Sequence, residues 1–197
     1  MLVRFFGGWD FDANDAQTRM PAEAGYAKGV PMGGDLREAP AGKAPTFIAA
    51  ALKDPLSGNL DRIQVIKGWV DAKGELHEKI YDVAWTGDRK PGPDGKLPAV
   101  GDTVDVANAI WTNTIGAPEL IAAWKDPDFD PTLRAFYYAR VIEIPTPRWT
   151  AYDQKRFGIK MSADLWDGTQ CLAIITTCKR SYEGLTGRAC GAALELA

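Results

Sequence analysis

The chain has 197 residues, 46% hydrophobic and 25% charged, with a formal net charge of −3 and a pI near 5.3. That length supports one sizeable core, and the mild acidity excludes the clustered basic footprint of a nucleic-acid binder. No run approaches the roughly 18 apolar residues of a membrane-spanning helix, so neither nucleic acid nor a membrane is an expected partner.

The first residues, MLVRFFGGWDFDAND, hold an apolar stretch too short for a signal-peptide core and turn acidic at once. A cytoplasmic location is the default expectation. Residues 12–45 are rich in Gly, Pro, Ala and Asp, show little periodicity and read as a long excursion packed on a sheet. Residues 46–52 form a short apolar run bounded by Pro45 and the Lys53-Asp54-Pro55 break. Residues 62–70 read as a strand, with Ile63, Val65 and Trp69 on one face and Ile66 and Val70 on the other. Asp71-Ala72-Lys73-Gly74 supplies a turn. Residues 76–85 then return as a strand in which His77, Tyr81, Val83 and Trp85 share a face, completing the clearest hairpin in the chain.

Residues 86–101 hold four glycines and three prolines and read as a loop. Residues 103–112 and 134–144 are two further predicted strands. In the second, Phe136, Tyr138, Ile142 and Ile144 alternate against Tyr137, Ala139 and Val141, so both faces are covered, as in a central strand of a sandwich. Short helices are expected over 118–124, with Pro118 at the first position, and over 152–157. The expected fold is mainly β: a single antiparallel β-sandwich domain with long loops and one or two short helices.

Five segments carry a resemblance: VRFFGGWDF (3–11), GVPMGGDL (29–36), LDRIQVIKGWVDAKGELHEKIYDVAWTGDRKP (60–91), GDTVDVANAIWTNTIGAPELIAAW (101–124) and DPDFDPTLRAFYYARVIEIPTPRW (126–149). Together they resemble the C-terminal region of a domain-of-unknown-function family. Longer members of that family join this region to an N-terminal metallohydrolase-like domain of the polymerase-and-histidinol-phosphatase (PHP) type. The resemblance implies that the chain begins after that catalytic part and is a free-standing accessory domain for binding or assembly. It covers 1–168. Residues 169–197 depart from the pattern: 169–178 is expected to fill the slot of the family's last strand, since an open edge invites aggregation. Residues 184–197 read as a tail of the kind a mobile gene cassette would append.

The candidate chemistry is sparse. A PHP-type site needs several histidines and carboxylates around its metals, and the chain has one histidine, His77, beside Glu78 and near Asp82. The acidic loop Asp126, Asp128, Asp130 resembles the opening of a calcium loop, but Pro131 and Tyr137 stand where an EF-hand needs Gly and Glu. It is either a self-capping turn or an irregular calcium site. Cys171, Cys178 and Cys190 fit neither a disulfide framework nor a zinc spacing. Ser57, Ser162 and Ser181 sit in no nucleophile elbow, and the glycine-rich segments match no phosphate-binding pattern. No cofactor is expected.

Trp69, Trp85 and Trp111 read as core, whereas Trp9 and Trp149, at segment ends, are candidates for exposure. Trp9, Asp10, Met32, Gly33, Gly34 and Asp35 form the candidate docking surface or cleft rim, the alternative being that they only shape turns. Absence of the hydrolase domain implies an uncovered apolar patch, and hence a homodimer or a separate protein partner. Two rival readings stand beside this one: a subunit or remnant of a metal-dependent hydrolase, and a small-ligand or carbohydrate-binding module.

Overall fold

The structure is a computed structural model that describes residues 1–37, 39–160, 169–170, 173–176 and 194–196, the last three spans by backbone alone. In chain order its elements are β1 (Leu2–Gly8), α1 (Pro21–Lys28), β2 (Gly29–Pro31), β3 (Asp35–Leu36), β4 (Thr46–Leu52), β5 (Leu60–Val70) and β6 (Leu76–Trp85). They continue with β7 (Glu119–Lys125), β8 (Ala135–Glu143), β9 (Thr146–Pro147), α2 (Trp149–Phe157), β10 (Thr169–Gln170), β11 (Ala173–Thr176) and β12 (Leu194–Leu196). With 38% strand against 11% helix the protein is mainly β, as expected, and no barrel closes among the described residues.

One sheet runs β2-β1-β4-β7 and the other β3-β12-β8-β5-β6, with β11 also on β8. The pairings are antiparallel except β3 with β12. Phe5, Phe47, Ala49 and Ala51 of the first sheet and Ile63, Val65, Tyr137, Ala139 and Val141 of the second share one core. The first sheet is covered on its far side too, where Phe6, Phe11 and Ile48 pack with Ala22 and Ala24 of the first helical segment. That double cover is why β4 reads TFIAAAL, apolar without alternation. The hairpin β5–β6 closes as expected: Gly74 takes φ +83 and its N–H donates to Asp71 O at 3.0 Å. Strand β8 is central and buries Ala135, Tyr137, Ala139, Val141 and Glu143.

Four expectations are corrected. Residues 103–112 form no strand beyond the single bridge Asp105–Ile110. Their aspartates bond the local backbone, Asp102 Oδ1 accepting from Val104 N and Asp105 Oδ1 from Asn108 N, which favours turns over a ladder. Residues 118–124 are not helical. Strand β7 pairs with β4 from Thr46↔Lys125 to Leu52↔Glu119, because burial beside β4 outweighs the helical propensity of its alanines. Within 12–45 lies a helix, Pro21–Lys28, whose Ala-rich, stripe-free sequence hid it. Finally, β6 carries a bulge at Val83, between the pairs Ile63↔Ala84 and Gln64↔Asp82. The extra residue turns Trp85 off the face that His77 and Tyr81 share.

The loop 86–101 is tied down by two arginines. Arg62 Nη1 donates to Leu97 O and Arg89 Nη1 to Pro98 O, and both guanidiniums meet buried Asp61, at 2.9 and 2.6 Å. In the C-terminal region β10 pairs with β9, and β11 runs along β8 from Ala173↔Ile142 to Thr176↔Ala139. Cys171, Cys178 and Cys190, and most of the expected tail, lie outside the described residues.

Gly116 is a position that only glycine fills. Its φ is +76, and a Cβ there would lie 2.7 Å from Asn59 Cβ and 2.9 Å from Leu60 O. Gly116→Ala is expected to lower the unfolding free energy by about 3 kcal/mol. Gly74→Ala, at φ +83 in open space, should lose only about 1 kcal/mol. Urea denaturation of the two variants checks the difference.

Candidate binding groove

Three segments distant in sequence meet at one rim of the sandwich. The first is Trp9, immediately after β1; it is half-buried, and its indole N–H donates to Arg37 O at 3.3 Å. The second is β3 with the residues after it, where Leu36 is buried. The third is the loop 126–134 between β7 and β8. Its Phe129 ring meets Trp9 edge-on, centroids 6.0 Å apart. Between them lies a recess of about 210 Å³, walled by Trp9, Leu36, Phe129, Leu133 and Arg134. A second recess of about 280 Å³ continues from it past Lys43 and Lys125, the two sharing Ala39, Phe129 and Pro131. Together they make one shallow groove.

The third segment is held by charges buried between the sheets. Lys67 of β5 and Asp126, each almost fully buried, meet at 2.6 Å. The Lys67 ammonium also donates to Asp128 O at 2.7 Å and lies 5.5 Å from the Trp69 ring centroid. Tyr137 OH donates to Asp126 Oδ2 at 2.5 Å, and Asp126 Oδ1 accepts Asp128 N at 2.9 Å. Outside this pair, Asp128 Oδ2 takes Lys79 at 2.5 Å and Tyr81 OH at 2.7 Å. Burial, then the hydrogen bond to Asp126, pushes the Tyr137 phenol far above its ordinary range. Tyr81 is pushed up in the same way by burial and by Asp128. The Lys79 ammonium, followed by the Tyr81 hydroxyl, holds the Asp128 carboxyl below the usual carboxylate range.

The candidates read from the sequence fall into place unevenly. Trp9 lines the groove, and Asp10 pairs with Lys43 on its wall. Asp35 lies in β3 and faces Arg37 at 3.5 Å. Met32, Gly33 and Gly34 make the turn between β2 and β3. Met32 packs on the core, Gly33 takes φ +87 and Gly34 N donates to Pro31 O. Asp126, Asp128 and Asp130 do not come together as a ligand set. Their oxygens go to Lys67 and Tyr137, to Lys79 and Tyr81, and to Thr132, respectively.

Among the described residues one His/Cys/Asp/Glu group has metal-like spacing, Asp71, Glu75 and His77, with ligand atoms within 4.8 Å of one another. It sits at the hairpin tip, where His77 Nε2 lies 2.9 Å from Asp71 Oδ2 and the imidazole stacks on Trp69. The histidine, followed by Glu75 N–H, lowers the Asp71 carboxyl pKa. The neighbours are thus Asp71 and Glu75, rather than the Glu78 and Asp82 that adjacency along the strand suggested. Trp149, 63% exposed, is one of three exposed aromatics of α2, with Tyr152 and Phe157, whereas Trp69 and Trp124 pack on the core.

Phe129, Leu133, Arg134 and Lys125 escaped the sequence reading. Lys67 left a signal, a cation on the same alternating face as Ile63, Val65 and Trp69.

Among known proteins, a family model described as a protein of unknown function (DUF3604) matches residues 1–174, a span that contains every wall of the groove. No curated protein and no solved structure matches the chain.

A tyrosine whose folded pKa is raised contributes stability that is complete below its unfolded value of about 10 and is lost as pH rises above it. Phenolate absorbance should therefore contain a late component, Tyr81 and Tyr137 ionising only as near-ultraviolet circular dichroism collapses. Tyr81→Phe with Tyr137→Phe should remove it. Reversible ionisation of these two tyrosines near pH 10, with the fold intact, would contradict the buried network.

Proposed function

The chain belongs to the DUF3604 family, and we propose that its β-sandwich is a non-catalytic binding domain that seats a partner protein in the groove between Trp9 and Phe129. One observation carries this reading: residues near 9, 36 and 129–134 converge on a single recess whose third wall is anchored by a buried ion pair. Loops held on a rigid sandwich are the usual place for recognition. By the resemblance, longer relatives place a metallohydrolase-like domain before this region. In them the groove receives part of that domain, and the same surface suits a separate protein. A second copy of the chain is the alternative occupant.

The metal-dependent reading keeps one specific support, the Asp71–Glu75–His77 group. Two carboxylates and an imidazole are a donor set that zinc or manganese accepts. Against a self-contained hydrolase, the chain's one histidine, His77, is engaged by Asp71.

A photo-crosslinking residue at Leu133, on the groove wall, should yield a discrete product in cells that express the protein naturally. The same residue at Leu56, 88% exposed, should not. A product of twice the chain mass would identify a second copy as the occupant. Equal or absent labelling at the two positions would sink the reading. Elemental mass spectrometry on protein purified without chelator should find metal well below one ion per chain. Stoichiometric zinc or manganese that His77→Ala removes would transfer support to the hydrolase reading.

A further inference from the structure

Among the described residues, the charged side chains that line the groove are all of one sign: Lys43, Lys125 and Arg134 are cationic, although the chain as a whole carries −3. Among the described side chains, the nearby carboxylates are committed elsewhere. Asp10 faces Lys43, Asp35 faces Arg37, and Asp126 and Asp128 face Lys67 and Lys79. Asp130 forms no ion pair among the described residues; its Oδ1 accepts from Thr132 N and Oγ1. Lys125 and Arg134 are exposed and form no ion pair among the described residues. One stands on the wall of each recess; Trp9 lines the recess of Arg134, and Phe129 lines both.

The shape is as informative as the charge. Each recess is smaller than the roughly 300–1,000 Å³ of a typical small-molecule site, and the two adjoin through Ala39, Phe129 and Pro131. An extended polypeptide presents alternate side chains about 7 Å apart to one surface, which suits two successive shallow recesses better than one compact ligand does.

Resting on the reading of the domain as a binding module, we propose that the groove binds an extended acidic segment of a partner protein. An apolar side chain of that segment lodges beside Trp9 and Phe129, and carboxylates on either side of it meet Arg134 and Lys125.

The test uses the full chain and three dye-labelled hexapeptide sets that share Leu and Phe at alternate positions, the other positions being Asp/Glu, Ser/Gln or Lys. Fluorescence anisotropy should show the acidic set binding at least tenfold more tightly than the lysine set. High salt should erode that preference, because exposed charges are screened. Lys125→Gln with Arg134→Gln, both at exposed positions, should reduce acidic-peptide affinity about tenfold and neutral-peptide affinity several-fold less; an equal loss for both sets would contradict the charge assignment.

If neutral or basic peptides bind as well as acidic ones, and Phe129→Ala weakens all of them, the charge assignment falls and the binding groove stands. If no set binds and Leu133 also captures nothing in cells, both fall. Tighter binding of an acidic polysaccharide such as alginate than of polyglutamate would overturn the assignment of a polypeptide ligand.

Discussion

A lysine ammonium and an aspartate carboxylate, both nearly removed from water, meet at 2.6 Å where the loop after β7 crosses the second sheet. In an interior of low dielectric such a pair adds little net stability, since the desolvation of two charges offsets their attraction. Its consequence is positional. Removing either partner strands the other, at a cost of about 3–5 kcal/mol, so the loop has one seat. Asp126 is fixed by Lys67 and Tyr137 and in turn holds Asp128 N. Phe129 follows directly, and the groove wall runs on to Arg134. The recess exists because the charge pair dictates where this loop lies.

The apolar core and the polar network are joined by rings. Phe5 stacks on Phe47 at 5.4 Å, Phe47 leans on Tyr137 at 4.6 Å and on Trp124 at 5.7 Å, and Trp124 meets Tyr81 at 4.8 Å. Both tyrosines end in hydroxyls that donate to the loop aspartates. Aromatic packing between the sheets therefore sets the depth at which the two carboxylates are gripped. A domain built this way is rigid beneath its rim and varied along it, which suits recognition. The fold alone does not dictate what is recognised.

Much of the scaffold was legible because it is local or periodic. The β5–β6 hairpin follows from strand patterning around a Gly-containing turn, and the centrality of β8 follows from two apolar faces in one strand. What escaped depends on tertiary context. The bulge at Val83 is invisible to a count of alternation, yet it moves Trp85 to the other face. Strand β7 has alanines that favour a helix in isolation and becomes a strand through its pairing with β4. The candidate site was half legible. Trp9, Asp10 and Asp35 belong to segments that do meet at the rim, but their counterpart at 129–134 only overlaps the acidic loop 126–131, whose composition points to its aspartates and not to Phe129. In sequence those aspartates resemble ligands for a cation; in the fold Asp126 and Asp128 face Lys67 and Lys79. Those lysines lie 49 and 59 residues away along the chain, beyond what spacing rules reach.

The dependence of the groove on the buried pair is open to one direct measurement, hydrogen–deuterium exchange in Lys67→Met against the parent chain. Without the ammonium, Asp126 loses its seat, and amides of residues 127–134 should exchange much faster while those of β1 and β4 keep their protection. Uniform loss of protection across both sheets, or no change in the loop, would contradict the claim that Lys67 and Asp126 position the groove wall.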